Sequence, residues 1–218
     1  MNQKLSEKYR PTTLRDITGQ PPVYHLMQLV ADPRPACVLL EGTPGTGKTT
    51  AAYALAHDMG CEDEWSGLWM VNAVDLTIDY LRDLFDSKLR LRPLSGSGWN
   101  VLIIEELEAV PSVQVQRAMK TYLETKLRHM KLIVVATSNG AAGLSDALLE
   151  RFKLYCFQGG PGLASEARQR IGAIWRTEAG DAPLPVGWLN WGHVGERFSF
   201  RRAMDSMEDA LASVVVPA

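Results

Sequence analysis

The sequence predicts an α/β fold in which a parallel five-stranded sheet lies between helices, followed by a small α-helical domain. Three observations carry this. Short apolar runs alternate with segments of helical periodicity, the pattern of a parallel sheet covered by helices. A glycine-rich loop joins the first strong strand candidate to an alanine-rich helix candidate. Beyond residue 157 the texture changes, with Gly159-Gly160-Pro161-Gly162 punctuating the chain.

Taken in order, the apolar run 37–41 is the first strand, and Thr50-Ala51-Ala52-Tyr53-Ala54-Leu55-Ala56 is a helix with side chains small enough to pack closely on a sheet. A weaker strand spans 68–72. Ile78, Leu81, Leu84, Phe85 and Leu89 then recur at helical spacing, and the turn-rich 92–98 leads into a strand at 101–104. A helix at about 113–127 precedes the strand 132–137, and 154–157 adds a fifth strand. The domain boundary falls at 158/159, with a core over 1–158 and tail helices at about 164–179 and 200–213.

The 218 residues, 46% apolar and 22% charged, suit a globular chain with one core and a small accessory domain. A formal charge of −2 excludes a surface that is basic overall, so contact with nucleic acid needs a local patch or several subunits acting together. Cys37, Cys61 and Cys156 are widely spaced, giving neither a disulfide framework nor a zinc site, and His25, His57, His129 and His193 have no metal-ligand spacing. No apolar run approaches a membrane span and no signal core opens the chain, so a cytoplasmic setting without membrane contact is expected. Trp188 and Trp191 are read as core of the small domain.

Gly42-Thr43-Pro44-Gly45-Thr46-Gly47-Lys48-Thr49 has the spacing of a phosphate-binding P-loop. Backbone N–H groups that no side chain obstructs lead into a helix N-terminus, Lys48 supplies a charge for the β and γ phosphates of ATP, and the Thr49 hydroxyl completes a Mg²⁺ shell. The strand at 101–104 ends in Glu105-Glu106, where such a protein holds Mg²⁺ and polarises water. Glu105 is assigned to the metal, usually through water, and Glu106 is the base or the water-orienting residue. The plainer reading of this acidic run is the start of a helix. Asn139, after the strand 132–137, is by residue type alone a turn residue.

On these residues the chain resembles an AAA+ ATPase, and within that superfamily the clamp-loader small subunits of replication factor C and of tailed phages. Ser6-Glu7-Lys8-Tyr9-Arg10-Pro11-Thr12-Thr13-Leu14-Arg15-Asp16-Ile17-Thr18-Gly19-Gln20 is similar to the opening of those subunits. The resemblance implies an AAA+ P-loop core with a helical lid, ATP and Mg²⁺ as ligands, and an adenine wrapped by residues 1–20, with Tyr9, Arg10, Pro11 and Ile17 joining Thr43 through Thr50 as nucleotide contacts. It makes Asn139 a water-orienting residue. It makes Arg151, in Leu149-Glu150-Arg151-Phe152, an arginine finger for a neighbouring subunit, although Glu150 and Phe152 stand where the family has Ser and Cys. Arg201 becomes the lid arginine, with Arg202 as fallback.

The helix at 113–127 is similar to one that lines a DNA channel, which makes Arg117, Lys120 and Arg128 the DNA contacts, against a plain solvated face. The implied partners are homologous subunits in a ring or spiral, a sliding clamp and primed DNA. Two departures bear on activity and assembly. Glu105 replaces the usual Asp and reaches one methylene further, and 218 residues leave no room for the family's C-terminal collar. The leading expectation is therefore an oligomeric ATPase acting on replication machinery. The alternatives are a closed-hexamer remodeller of a protein complex and a nucleotide-gated scaffold with little hydrolysis.

Overall fold

A computed structural model describes residues 3–215. In chain order the elements are α1 (Leu5–Lys8), α2 (Val23–Ala31), β1 (Ala36–Gly42), α3 (Lys48–Asp58), β2 (Leu68–Asn72), α4 (Ile78–Asp86), β3 (Asn100–Glu105), α5 (Val113–Thr125), β4 (Leu132–Ser138), α6 (Asp146–Leu149), β5 (Lys153–Phe157), α7 (Pro161–Ala179), β6 (His193–Val194), β7 (Arg197–Phe198) and α8 (Phe200–Val215). The five expected strands form one sheet in the order β2-β3-β4-β1-β5, with every pairing parallel.

The middles of the central strands are continuous apolar runs because both faces of a parallel sheet are covered. All seven residues of β4 are buried, Thr137 and Ser138 included. On one face Leu39, Leu102, Ile104 and Val134 pack under α4 and α5 with Phe85, Met119 and Leu123. On the other, Val38, Leu40, Ile103 and Val135 pack under α2 and α3, where Ala51, Ala52, Ala54, Leu55 and Ala56 are all fully buried. Alternation along each strand sends successive side chains to opposite faces.

The helix boundaries are set by local chemistry. Thr77 Oγ1 accepts from Tyr80 N at 3.1 Å to cap α4, and Ser112 Oγ accepts from Val115 N at 3.3 Å to cap α5. Ile78, one of the apolar positions at helical spacing, is 42% exposed at the first turn of α4. α7 begins at Pro161 rather than at 164, because proline fits the first helical positions, where its missing N–H has no intrahelical partner to lose.

A third apolar cluster lies apart from the sheet. Leu163, Ala167, Ile171, Ile174 and Trp175 of α7 meet Phe198, Ala203, Met204 and Met207, and Trp188 and Trp191 pack against them. This region is not wholly helical, since β6 and β7 form a short antiparallel hairpin. The N-terminal segment bridges the clusters. Leu5 belongs to the third and Leu14 to the α2/α3 side of the sheet. Its outer half is tied to the tail helices by Lys8 Nζ to Glu178 at 2.7 Å and by hydrogen bonds from the Tyr9 hydroxyl to Glu178 and from Leu5 N to Glu208.

Candidate nucleotide site

Because β3, β4 and β1 are adjacent and parallel, their carboxyl ends lie side by side, and the loops that leave them converge. Gly42 ends β1 and opens the phosphate loop, Glu105 ends β3, and Ser138 ends β4 just before Asn139. A cavity of about 510 Å³ opens there. Pro44 through Thr50 form one wall, Glu106, Thr137, Ser138 and Asn139 the floor, and Tyr9, Arg10, Pro11, Asp16 and Ile17 the opposite wall. The tail helices close it with Leu163, Arg170, Phe200, Arg201 and Met204.

The phosphate loop depends on glycine at two positions in particular. Gly45 has φ +82° and its added Cβ would fall 2.0 Å from Ser199 Oγ, while Gly47 has φ +96° just before α3. Phe200 N donates to Gly45 O at 2.9 Å, so the loop is hydrogen-bonded directly to the start of α8. Thr43 does not line the cavity. Its carbonyl accepts from Lys48 Nζ at 3.1 Å and from Thr46 Oγ1 at 2.8 Å, which holds the loop closed from behind.

Lys48 is buried and donates to Gly42 O at 2.6 Å and to Asn139 Oδ1 at 3.1 Å. Burial pushes its ammonium below the usual value and Arg201 adds to that, while the carboxylates of Glu108 and Glu41 oppose it. Glu106 is the only non-glycine residue with positive φ among those described, at φ 56° and ψ 52°. Its N–H donates to Thr137 Oγ1 at 3.3 Å and its Oε2 accepts from Asn72 Nδ2 at 3.4 Å. A backbone strained in this way is tolerated where the surroundings over-determine it, commonly at functional sites.

Glu105 is half-buried beside the site and is not part of the cavity wall, whereas Thr49 is. A threonine hydroxyl, a carboxylate one water away and nucleotide phosphates are the hard oxygen donors that Mg²⁺ prefers, so this donor set fits the ion. Glu105 also faces Tyr53 of α3. Burial first, and then the Glu105 charge, raise the Tyr53 phenol above its usual value, while the Arg10 guanidinium 4.9 Å over the ring opposes them.

The profile of the ATPase family associated with various cellular activities (AAA) matches residues 38–159, more than half the chain, from within β1 to just past β5. The chain belongs to the AAA family. Among curated AAA relatives, a replication factor C small subunit of Thermofilum pendens is 29% identical over 94% of this chain, and a replication factor C subunit 3 of Blastobotrys adeninivorans is 28% identical over 95%. The chain spans 62% and 60% of the lengths of those two proteins. Its fold is also that of the Thermotoga maritima RuvB Holliday junction branch migration motor, with a TM-score of 0.70 and 19% identity, covering 94% of this chain and 67% of that one.

The remaining predicted residues of this AAA chain divide between two places. Arg201 lines the cavity and Arg202 does not. Arg151 lies elsewhere, paired with Glu124 at 3.2 Å and Glu150 at 3.5 Å. Gln116 of α5 holds the loop that leads to it, donating to Gly143 O and accepting from Ser145 N, each at 2.8 Å. Lys120 pairs with Glu124 at 3.5 Å, and Arg117 and Arg128 are exposed, all outside the cavity.

Arg170 and Glu108 are among the residues at the site that were not anticipated. Arg170 of α7 lines the cavity and donates to Asp16 O at 2.6 Å and Tyr9 O at 3.2 Å, joining a tail helix to the N-terminal wall. An arginine within a helical pattern carries no local mark of such contacts. Glu108 accepts from Asn139 N at 3.0 Å and Asn139 Nδ2 at 2.8 Å. Its one sequence signal is its place in the acidic run after β3, which also reads as a helix start. Among the described residues no helix is long and apolar enough to cross a membrane, and no cluster of three or more His, Cys, Asp or Glu is placed to hold a metal by itself.

Proposed function

We propose that the chain is an ATP-hydrolysing subunit of clamp-loader type, working in an assembly of like subunits on DNA-replication machinery. The observation that carries this is the separation of two groups of residues. The phosphate loop, Glu106, Asn139 and Arg201 share one cavity, while Arg151 stands outside it in the turn between α6 and β5. In this reading Lys48 and the loop N–H groups bind the phosphates, Tyr9, Arg10, Pro11 and Ile17 hold the base, and Thr49 with Glu105 through water holds Mg²⁺. The ion neutralises phosphate charge when bound. Glu106 accepts the proton of the attacking water, Asn139 orients that water, and Arg201 contacts the phosphates from a lid formed by residues 159–218. Arg151 completes the site of a neighbouring subunit, so hydrolysis depends on assembly.

The similarity to replication factor C small subunits supports the replication setting, and Arg117, Lys120 and Arg128 on and after α5 are the proposed contacts to a DNA backbone. A mixing experiment tests the shared site. Lys48→Ala and Arg151→Ala proteins, each inactive alone, are expected to regain hydrolysis when combined, because a mixed interface pairs an intact phosphate loop with an intact finger. No recovery, with both variants folded and assembled, would remove the trans role of Arg151. Turnover stimulated by primed DNA supports the replication setting. DNA-indifferent turnover favours a remodeller of protein complexes, and tight ATP binding without turnover favours a scaffold.

A further inference from the structure

We propose that Glu108 is a positioning residue for hydrolysis, acting through Asn139 to determine which end of the asparagine amide faces the phosphate loop. This rests on the reading of Asn139 as part of the hydrolytic site.

Glu108 lies in the 3₁₀ turn Leu107–Ala109, two residues past Glu106, whose left-handed backbone breaks the line of β3. Leu107 is fully buried and pins that turn against the sheet. Glu108 is therefore held by the same turn that places Glu106, and it is not among the residues lining the cavity. From there its Oε1 accepts both the backbone N–H and the side-chain Nδ2 of Asn139, at 3.0 and 2.8 Å.

The chemistry of the two side chains makes this arrangement directional. An asparagine amide presents oxygen at one end and a hydrogen-bond donor at the other, and the two are nearly equal in shape. An ionised carboxylate only accepts, so it selects the NH₂ end of the amide. The oxygen end is thereby turned to Lys48 Nζ, at 3.1 Å. Lys48, a donor only, favours the same orientation, so without the carboxylate the amide is held by the Lys48 contact alone, and that hold weakens when the ammonium turns to a phosphate. Glu108 Oε2 is buried and has no hydrogen-bond partner among the described residues.

The test is a double-mutant cycle on ATP hydrolysis by the assembled protein, with ATP affinity and thermal melting measured alongside. Glu108→Ala is expected to lower kcat by about tenfold or more while KM stays within about threefold, since only the reacting arrangement is disturbed. Combined with Asn139→Ala it should cost nothing further, because residues that act as one unit are not additive. Glu108→Gln, of the same volume but no longer an acceptor only, should lower kcat to a value between the parent and Glu108→Ala with KM little changed, and it keeps the proposal falsifiable if the alanine variant fails to fold, since an unchanged kcat would count against it.

Multiplying rather than overlapping effects, or an unchanged kcat in Glu108→Ala where Asn139→Ala lowers it, would overturn the proposal alone. An unchanged kcat in Asn139→Ala itself would remove the hydrolytic reading of Asn139, and the proposal with it.

Discussion

Lys48 Nζ donates to Asn139 Oδ1 at 3.1 Å across 91 positions of chain, joining the phosphate loop after β1 to the end of β4. Lys48 opens α3 after the loop that leaves β1, and Asn139 directly follows β4, so the contact depends on β1 and β4 being neighbours in the sheet.

Lys48 carries the principal positive charge of the phosphate wall, and a charge-assisted contact to phosphate is among the stronger hydrogen bonds available. Lys48→Ala is expected to weaken ATP binding at least about tenfold, an affinity loss of roughly 1.4 kcal/mol or more. Isothermal titration calorimetry checks this, and unchanged affinity would remove the nucleotide site from this cavity.

Glu106 occupies left-handed backbone, a conformation that costs an L-residue about 1 kcal/mol and costs glycine little. Glu106→Gly is therefore expected to be more stable than Glu106→Ala by about 1 kcal/mol, the reverse of the usual order in regular structure. Chemical denaturation of the pair checks this. Both variants should bind ATP and fail to turn it over.

Gly45 and Gly47 of the phosphate loop should respond differently to alanine. At Gly47 an added Cβ meets nothing within 4 Å, so only the backbone cost is incurred, about 1 kcal/mol. At Gly45 the same backbone cost is joined by a clash with Ser199 Oγ at 2.0 Å, which displaces the start of α8 from the loop. Gly45→Ala should melt at a lower temperature than Gly47→Ala, and differential scanning calorimetry compares them directly.

Burial pushes the Cys37 thiol up to about 12 and the Cys61 thiol up to about 11, while Cys156 is exposed. An alkylating reagent at pH 8 should modify Cys156 in the folded protein and spare the other two until denaturant is added, as intact mass spectrometry would show. The sign of the linkage follows from the same shifts. Above pH 9 the unfolded chain releases these protons and the folded chain keeps them, so the thiol contribution to stability is complete below about pH 9 and is lost as pH rises through about 11 and 12. Denaturation midpoints that do not fall between pH 9 and 11 would contradict this.

The strands were legible because a parallel sheet covered on both faces requires uninterrupted apolar runs, and residues 101–104 and 132–137 are such runs in any context. The phosphate loop was legible for a similar reason, since its glycines, Lys48 and Thr49 are contiguous and each has a local duty. The hairpin β6–β7 was not, because two-residue strands have no period to detect. Arg170 and Glu108 were illegible as site residues because their partners, Tyr9, Asp16 and Asn139, are remote in sequence and share no spacing with them.

By itself the sequence determined a P-loop α/β chain, its five strands and the residue types around a nucleotide, because each of these is written in short-range pattern. Only the tertiary structure decided which of those residues meet. The order β2-β3-β4-β1-β5 inserts β4 between β1 and β3, which brings Asn139 onto Lys48 and Glu108 and seats Glu106 at the floor of the cavity. Arg151 stays outside on its own loop. Strand order is set by burial summed over the whole core, a quantity to which no single segment holds the key.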